Sequence, residues 1–156
     1  MLTLYKPSIE DLWFRQQMLE DPDTMAYNLA WGGTISFPKE KWKSWHDRWL
    51  CGPDGKRFYR YLKDDETGSF VGEIAYHWDE EECICLADVI VFAPCRGEGY
   101  GREGLRLLCE SASKNGIDVL YDDIAKDNPA IRLFLSEGFE IEAEKEMTFL
   151  LKKKLK

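Results

Sequence analysis

Arg96-Gly97-Glu98-Gly99-Tyr100-Gly101 stands between an apolar, β-branched run, Ile84 to Phe92, and a stretch in which Leu105, Leu108, Cys109 and Ala112 recur at helical spacing. A strand therefore passes through a glycine-rich loop into a helix, with the loop at the helix N-terminus. There the first backbone N–H groups lack intrahelical acceptors and the helix dipole is positive, a setting that attracts phosphate. Glycine permits the positive φ angles that turn several amides toward one anion, and a Cβ at Gly99 or Gly101 would hold that anion off. Arg96 adds a permanent charge with a fork of donors.

Two other phosphate loops compete for this stretch. Gly99 to Gly104 also fits G-x-G-x-x-G, and the acidic Asp118 to Asp123 follows about twenty residues on. A dinucleotide fold, however, wants its glycines directly after the strand and within parallel βαβ units. Here Ala93-Pro94-Cys95 intervenes, and the preceding strands read as antiparallel. No Gly-Lys-Ser/Thr follows, so the chain has no P-loop.

Outward from the loop, strands and helices alternate with short turns. Leu2 to Lys6 reads as a strand. Ser8 caps a helix with Glu10 and Asp11 in its first turn and Ile9, Leu12 and Trp13 on its apolar side, fading near Asp21-Pro22. Pro38 opens a second helix in which Trp42, Trp45 and Trp49 share one face. Arg57–Leu62, Phe70–Trp78 and Ile84–Phe92 then read as an antiparallel meander whose acidic turns are solvated. Asn115-Gly116 stops the helix after the glycine loop, and Val119–Ile124 is another strand. Asn128-Pro129 begins a helix that ends at Gly138; Phe139–Ala143 and Glu146–Lys152 are the last strands, and the basic tail from Lys152 is a solvated end. The class is α/β (α+β): a mixed, mostly antiparallel sheet of about seven strands in one domain over residues 1–156.

Composition narrows the partners. The apolar fraction of 44% and aromatic fraction of 13% suit a folded core, and no apolar run approaches the ~18 residues that span a bilayer. With 21 Lys plus Arg against 29 Asp plus Glu, the net charge of −8 disfavours nucleic acid and suits a cationic small molecule. The five cysteines form no C-x-x-C pair and only two histidines accompany them, so reduced thiols and no metal are expected. The N-terminus lacks the apolar stretch of a secretory signal, which points to the cytoplasm. Membrane attachment is not expected, and a homodimer is left open.

Arg96, Gly99 and Gly101 match Arg/Gln-x-x-Gly-x-Gly/Ala, the signature of the GNAT superfamily of N-acetyltransferases. Ala130-Ile131-Arg132-Leu133-Phe134 with Gly138-Phe139 resembles that superfamily's second motif, and the order of elements resembles its fold over nearly the whole chain. The resemblance implies helices on both faces of a sheet splayed into a V, with acetyl-CoA as acyl donor between the strand ending near Phe92 and the strand Val119–Ile124. Val91 and Phe92 would pair with the pantetheine arm, and Arg96, Gly97, Glu98, Gly99, Tyr100, Gly101 and Arg102 would hold the pyrophosphate. Asn128 is similar to the asparagine of the second motif, with Asp127 an alternative.

The activity implied is transfer of the acetyl group to a primary amine of a small molecule. An alkylammonium of pKa ~10.4 is neutral at pH 7 in about one molecule in 2,500, a cost of about 4.6 kcal/mol, so a general base is wanted. The candidates are Glu73 and His77, which alternate on one strand face, and Asp88, a carboxylate within an apolar strand. The family's tyrosine acid is replaced by Phe134; Tyr100 and Tyr121 are nearby in sequence. That replacement keeps open a non-catalytic acyl-CoA-binding or regulatory module, and acetylation of a protein N-terminus or lysine is a further alternative. The early tryptophans either pack a helix onto the sheet or wall a cation pocket.

Overall fold

Period-two alternation carries the middle of the chain into extended structure. In the computed structural model, which describes residues 1–53 and 55–156, β1 (Leu2–Tyr5) precedes α1 (Trp13–Glu20) and α2 (Trp42–Leu50). There follow β2 (Arg57–Asp64), β3 (Phe70–Asp79), β4 (Ile84–Val91), α3 (Tyr100–Lys114), β5 (Val119–Ala125), α4 (Ala130–Ser136), β6 (Glu140–Glu144) and β7 (Thr148–Lys154). The seven strands form one sheet in the order β1-β2-β3-β4-β5-β7-β6, and its pairs are antiparallel except for β4 with β5. The mixed, mostly antiparallel sheet is thus the one expected.

Its central parallel pair opens. β4 and β5 are in register at Leu86 and Tyr121; beyond that point Asp88–Val91 and Asp122–Ala125 line opposite sides of a cleft. Helices cover both faces. On one, Leu105 and Leu108 of α3 and Phe134 of α4 pack on Leu62, Ile74, Tyr76, Leu120 and Leu151. On the other, Phe14 and Met18 of α1 and Trp42 and Trp45 of α2 pack on Tyr59, Tyr61 and Ala75. Gly104 lets α3 approach closely, since a Cβ there would come within 2.8 Å of the Leu62 side chain.

Three local expectations change. Trp13 is half exposed instead of core, because Phe14 takes the inward position. Pro38 starts a 3₁₀ turn, Lys39–Lys41, before α2 begins. The basic tail is largely β7 itself: Lys152 lies opposite Tyr121, Lys153 donates to the Glu137 carbonyl at 2.7 Å, and the Leu155 amide donates to Asp118. Among the described residues no helix is long and apolar enough to cross a membrane.

Candidate active site

The glycine loop has the backbone its sequence demands. Gly97 and Gly99 lie at φ +90° and +83°, with nothing within 4 Å of a Cβ at either, so backbone conformation and not crowding selects glycine there. Glu103 is the first amide of α3 to find a helical acceptor, the Gly99 carbonyl; the N–H groups before it stand at the helix's positive end. At Gly101 a Cβ would meet Leu133 at 3.4 Å and Val91 at 3.8 Å, so it would fill space between β4 and α4 instead of shielding the amides.

The side chains around the loop hold it in place. Arg96 gives one Nη to the Thr24 carbonyl (2.9 Å) and the other to that of Asp23 (3.3 Å), while the Ala93 amide donates to Thr24 Oγ1 (3.0 Å). The loop after α1 is thereby buckled to the loop before α3. Tyr100 donates to Asp64 Oδ2 at 2.7 Å, and that bond pushes its hydroxyl pKa up to about 12. Asn128 lines the cleft and accepts from the Ala130 amide at 2.9 Å, closing the turn that leads into α4.

Three residues expected at the cofactor direct their side chains elsewhere. Phe92 directs its amide to the Val71 carbonyl and its ring against Phe14, because the chain has turned back toward β3 at that point. Glu98 is exposed and outside the cleft lining. Arg102 reaches to Glu137 and Ser136, where Arg106 joins it on the same carboxylate, and so ties α3 to α4. Val91, Arg96, Gly97, Gly99, Tyr100 and Gly101 do line the cleft, whose volume is about 380 Å³.

A second cavity of about 370 Å³ opens on the α1–α2 face, walled by Trp31, Ile35, Trp45, Trp49 and Tyr59 and floored by Glu73, His77 and Asp88. The two cavities share Asn28, Trp31, Asp88, Asp122 and Asp123. All three sequence-derived base candidates are therefore in one cavity, but their situations differ.

Glu73 is 1% exposed and takes both its bonds from Arg15 Nη1, at 2.8 and 3.2 Å. Arg15 in turn lies 4.4 Å from the Trp45 ring, 5.2 Å from Phe37 and 5.3 Å from Tyr59. The aromatic box that the tryptophans offered to a cation is filled by the chain's own guanidinium. Burial works against that charge, but Glu73 outweighs it and holds the Arg15 pKa above its ordinary value. Tyr59, fully buried beside the pair, has its hydroxyl pushed well up by burial first and Glu73 second. His77 packs edge-on to Trp49 at 5.9 Å, and burial lowers its pKa, with Asp79 pulling the other way.

Asp88 is the carboxylate left open. It is exposed to solvent where the two cavities meet, although protein atoms crowd around it. The lost hydration, then Glu73, push its pKa up to about 7 against the pull of Arg15; the cleft mouth limits that loss of water. Asp122 was not among the sequence candidates. It lines both cavities, and burial first, then Asp88 and Asp123, raise its pKa well above the ordinary carboxylate range. Its neighbour Asp123 is bound through Oδ2 to Lys145 at 2.9 Å. The signal for Asp122 was present: two consecutive carboxylates interrupt the otherwise apolar Val119–Ala125, as Asp88 interrupts β4.

Phe134 is 3% exposed, edge-on to Phe139 at 5.0 Å, and reaches the cleft without a hydroxyl. Tyr121 lies outside the cleft lining, and Tyr27 lines it. Away from both cavities, His46, Asp47 and Cys51 bring donor atoms within 4.8 Å of one another at the exposed end of α2.

Comparison with known proteins places this architecture. The fold is similar to that of yncA from Salmonella typhimurium, solved with acetyl-CoA, at TM-score 0.76 and 21% identity over 100% of this chain and 95% of that one. An N-acetyltransferase from Staphylococcus aureus Mu50 has TM-score 0.78 at 17% identity, covering 100% and 99%. A spermidine N-acetyltransferase chimera from Vibrio cholerae and hSSAT has TM-score 0.77 at 16%, covering 99% and 95%. A sequence search of curated proteins finds no match. Residues 1–140 match the acetyltransferase (GNAT) domain, and the chain belongs to that family.

Proposed function

We propose that the protein moves the acetyl group of acetyl-CoA to the primary amine of a small molecule, by direct attack while both are bound. The observation that carries this reading is the meeting of two cavities at Asp88: a cleft bordered by a glycine-rich helix N-terminus, and an aromatic pocket opposite. The free amides of Gly97 to Arg102 suit a pyrophosphate, and the open edge of β4 at Asp88–Val91 suits an extended amide chain such as pantetheine. Binding of acetyl-CoA by yncA and action on spermidine by the Vibrio relative support the donor and the amine class.

Asp88 is the general base. A carboxylate of ordinary pKa is a poor acceptor for an ammonium proton; raised toward 7, it is a better one and still ionised in part at neutral pH. Glu73 is excluded from that role by Arg15, which consumes its oxygens. The acceptor site keeps a negative balance, because Arg15 is neutralised by Glu73 while Asp88 is ionised in part, and this favours a cationic amine. The cytosol, where thiols stay reduced, suits the five free cysteines.

Thiol release from acetyl-CoA across a panel of amines is the assay. Asp88→Asn should lower kcat by about 10²–10⁴-fold with acetyl-CoA binding retained. Wild-type binding of acetyl-CoA with no turnover on any amine would instead favour a non-catalytic acyl-CoA module, the reading that Phe134 supports.

A further inference from the structure

The reaction proposed above leaves one proton unassigned. When the C–S bond breaks, the CoA sulfur departs as a thiolate, and the side chains that could protonate it by position are few. Phe134 has no hydroxyl. Tyr100 spends its own on Asp64. Tyr121 does not line the cleft.

Asp122 stands where the reacting atoms must meet. It follows Tyr121, the residue at which β5 is still in register with β4, so it sits at the apex of the opening. It lines the donor cleft and the acceptor cavity alike, as does Asp88 from the opposing strand. The charged and titratable groups that line the two cavities with it are Asp88 from β4, Glu73 and His77 from β3, Tyr59 from β2, Arg15 from α1, Tyr27 from the loop after α1, Cys95, Arg96 and Tyr100 from the turn into α3, and Asp123 beside it. Glu73 is neutralised by Arg15 from α1 and Asp123 by Lys145. That leaves Asp88 and Asp122 as two unneutralised carboxyls at one place. Charge on Asp88 disfavours a second ionised carboxyl beside it, so Asp122 is the one that keeps its proton.

Resting on the acetyltransferase reading, we infer that Asp122 is the acid that protonates the departing CoA thiolate. The amine nitrogen attacks the thioester carbonyl carbon and forms the C–N bond. Asp88 takes the proton that the nitrogen loses. The C–S bond breaks, its electron pair goes to sulfur, and the Asp122 carboxyl gives sulfur its proton. Asp88 is then protonated and Asp122 ionised. Release of that proton from Asp88 to solvent and uptake of one by Asp122 restore the start, so acetyl-CoA and amine become amide and CoA with no other net reactant. The raised pKa of Asp122 fits the protonated partner, and the lower value at Asp88 the base.

The test is Asp122→Asn, nearly isosteric, measured beside wild type, Asp88→Asn and Tyr27→Phe. The expected result is a fall in kcat on the order of 10²-fold, unchanged acetyl-CoA affinity by calorimetry, and loss of the alkaline limb of the kcat–pH profile. Asp88→Asn should instead remove the acid limb. Independently of turnover, Asp88→Asn at pH 7 should retain a protonated-carboxyl carbonyl stretch in the infrared that the double variant Asp88→Asn/Asp122→Asn lacks. An active wild type whose kcat and alkaline limb survive Asp122→Asn, or whose alkaline limb vanishes in Tyr27→Phe, overturns the assignment to Asp122 alone. A wild type inactive with every amine overturns the acetyltransferase reading and this assignment with it.

Discussion

At the scale of single residues, the acceptor cavity is organised by one buried ion pair and one raised carboxyl. Removing Arg15 leaves Glu73 buried without its counter-charge and empties the space between Phe37, Trp45 and Tyr59. Breaking such a pair from one side costs about 3–5 kcal/mol, a large share of the ~5–15 kcal/mol that holds a domain together. Arg15→Met should therefore lower the urea midpoint sharply, with Glu73→Gln milder because a neutral amide can still accept from Arg15. Asp88 couples stability to pH in the direction opposite to an ion-paired carboxylate. Its native pKa, about 7, lies above the ~3.9 of an unfolded aspartate, so the native state binds the proton more tightly. The associated stability is complete below pH ~4 and is lost as pH rises through about 7. Asp88→Asn should thus match wild type in thermal midpoint at pH 4 and exceed it at pH 8, while losing activity. The sequence put Glu73 first, Asp88 close behind and His77 last. It could not see what sets Glu73 aside, because that contact joins Arg15 and Glu73 across 58 residues of chain. Asp122 was visible as a carboxyl in an apolar strand, but its meeting with a cavity follows only from the parting of β4 from β5.

The elements show which local rules carried. The glycine loop could be read directly, since positive φ at Gly97 and Gly99 is a demand of the backbone itself. The strand and helix order followed from periodicity, and Asn128 from capping chemistry. What sequence did not reveal is how the loop is held. Arg96 was expected to face the pyrophosphate, yet it fastens Asp23 and Thr24 to the turn before α3. That brings Met25, Tyr27, Asn28 and Trp31 to the cleft wall. Thr24→Val keeps the side-chain shape but removes the acceptor of the Ala93 amide. Its expected signature is a several-fold rise in KM for acetyl-CoA with little change in KM for the amine. Gly99→Ala forces a Cβ into the left-handed region, costing about 1–2 kcal/mol, and should weaken acetyl-CoA binding as well as stability, both readable by calorimetry.

The whole molecule is a sheet of two parts. β1 to β4 carry α1, α2 and the base; β5, β7 and β6 carry the apex carboxyls and the edge beside α4. Acetyl-CoA lying between β4 and β5 would contact both, and a ligand that binds only the native state at 100 times its Kd adds about 2.7 kcal/mol. In a chain of this size that is an upward shift of roughly 5–10 °C in thermal midpoint, which a melting curve with saturating acetyl-CoA checks. The register of β4 with β5 at Leu86 and Tyr121 has a consequence for how the protein opens. Below that junction the two parts share no ladder, so the β5–β7–β6 ribbon should behave as its own cooperative unit, unzipping at a lower free energy than the β1–β4 meander. Amide hydrogen exchange should then show two tiers of protection in the free protein that merge into one when the co-substrate fills the gap as a surrogate strand.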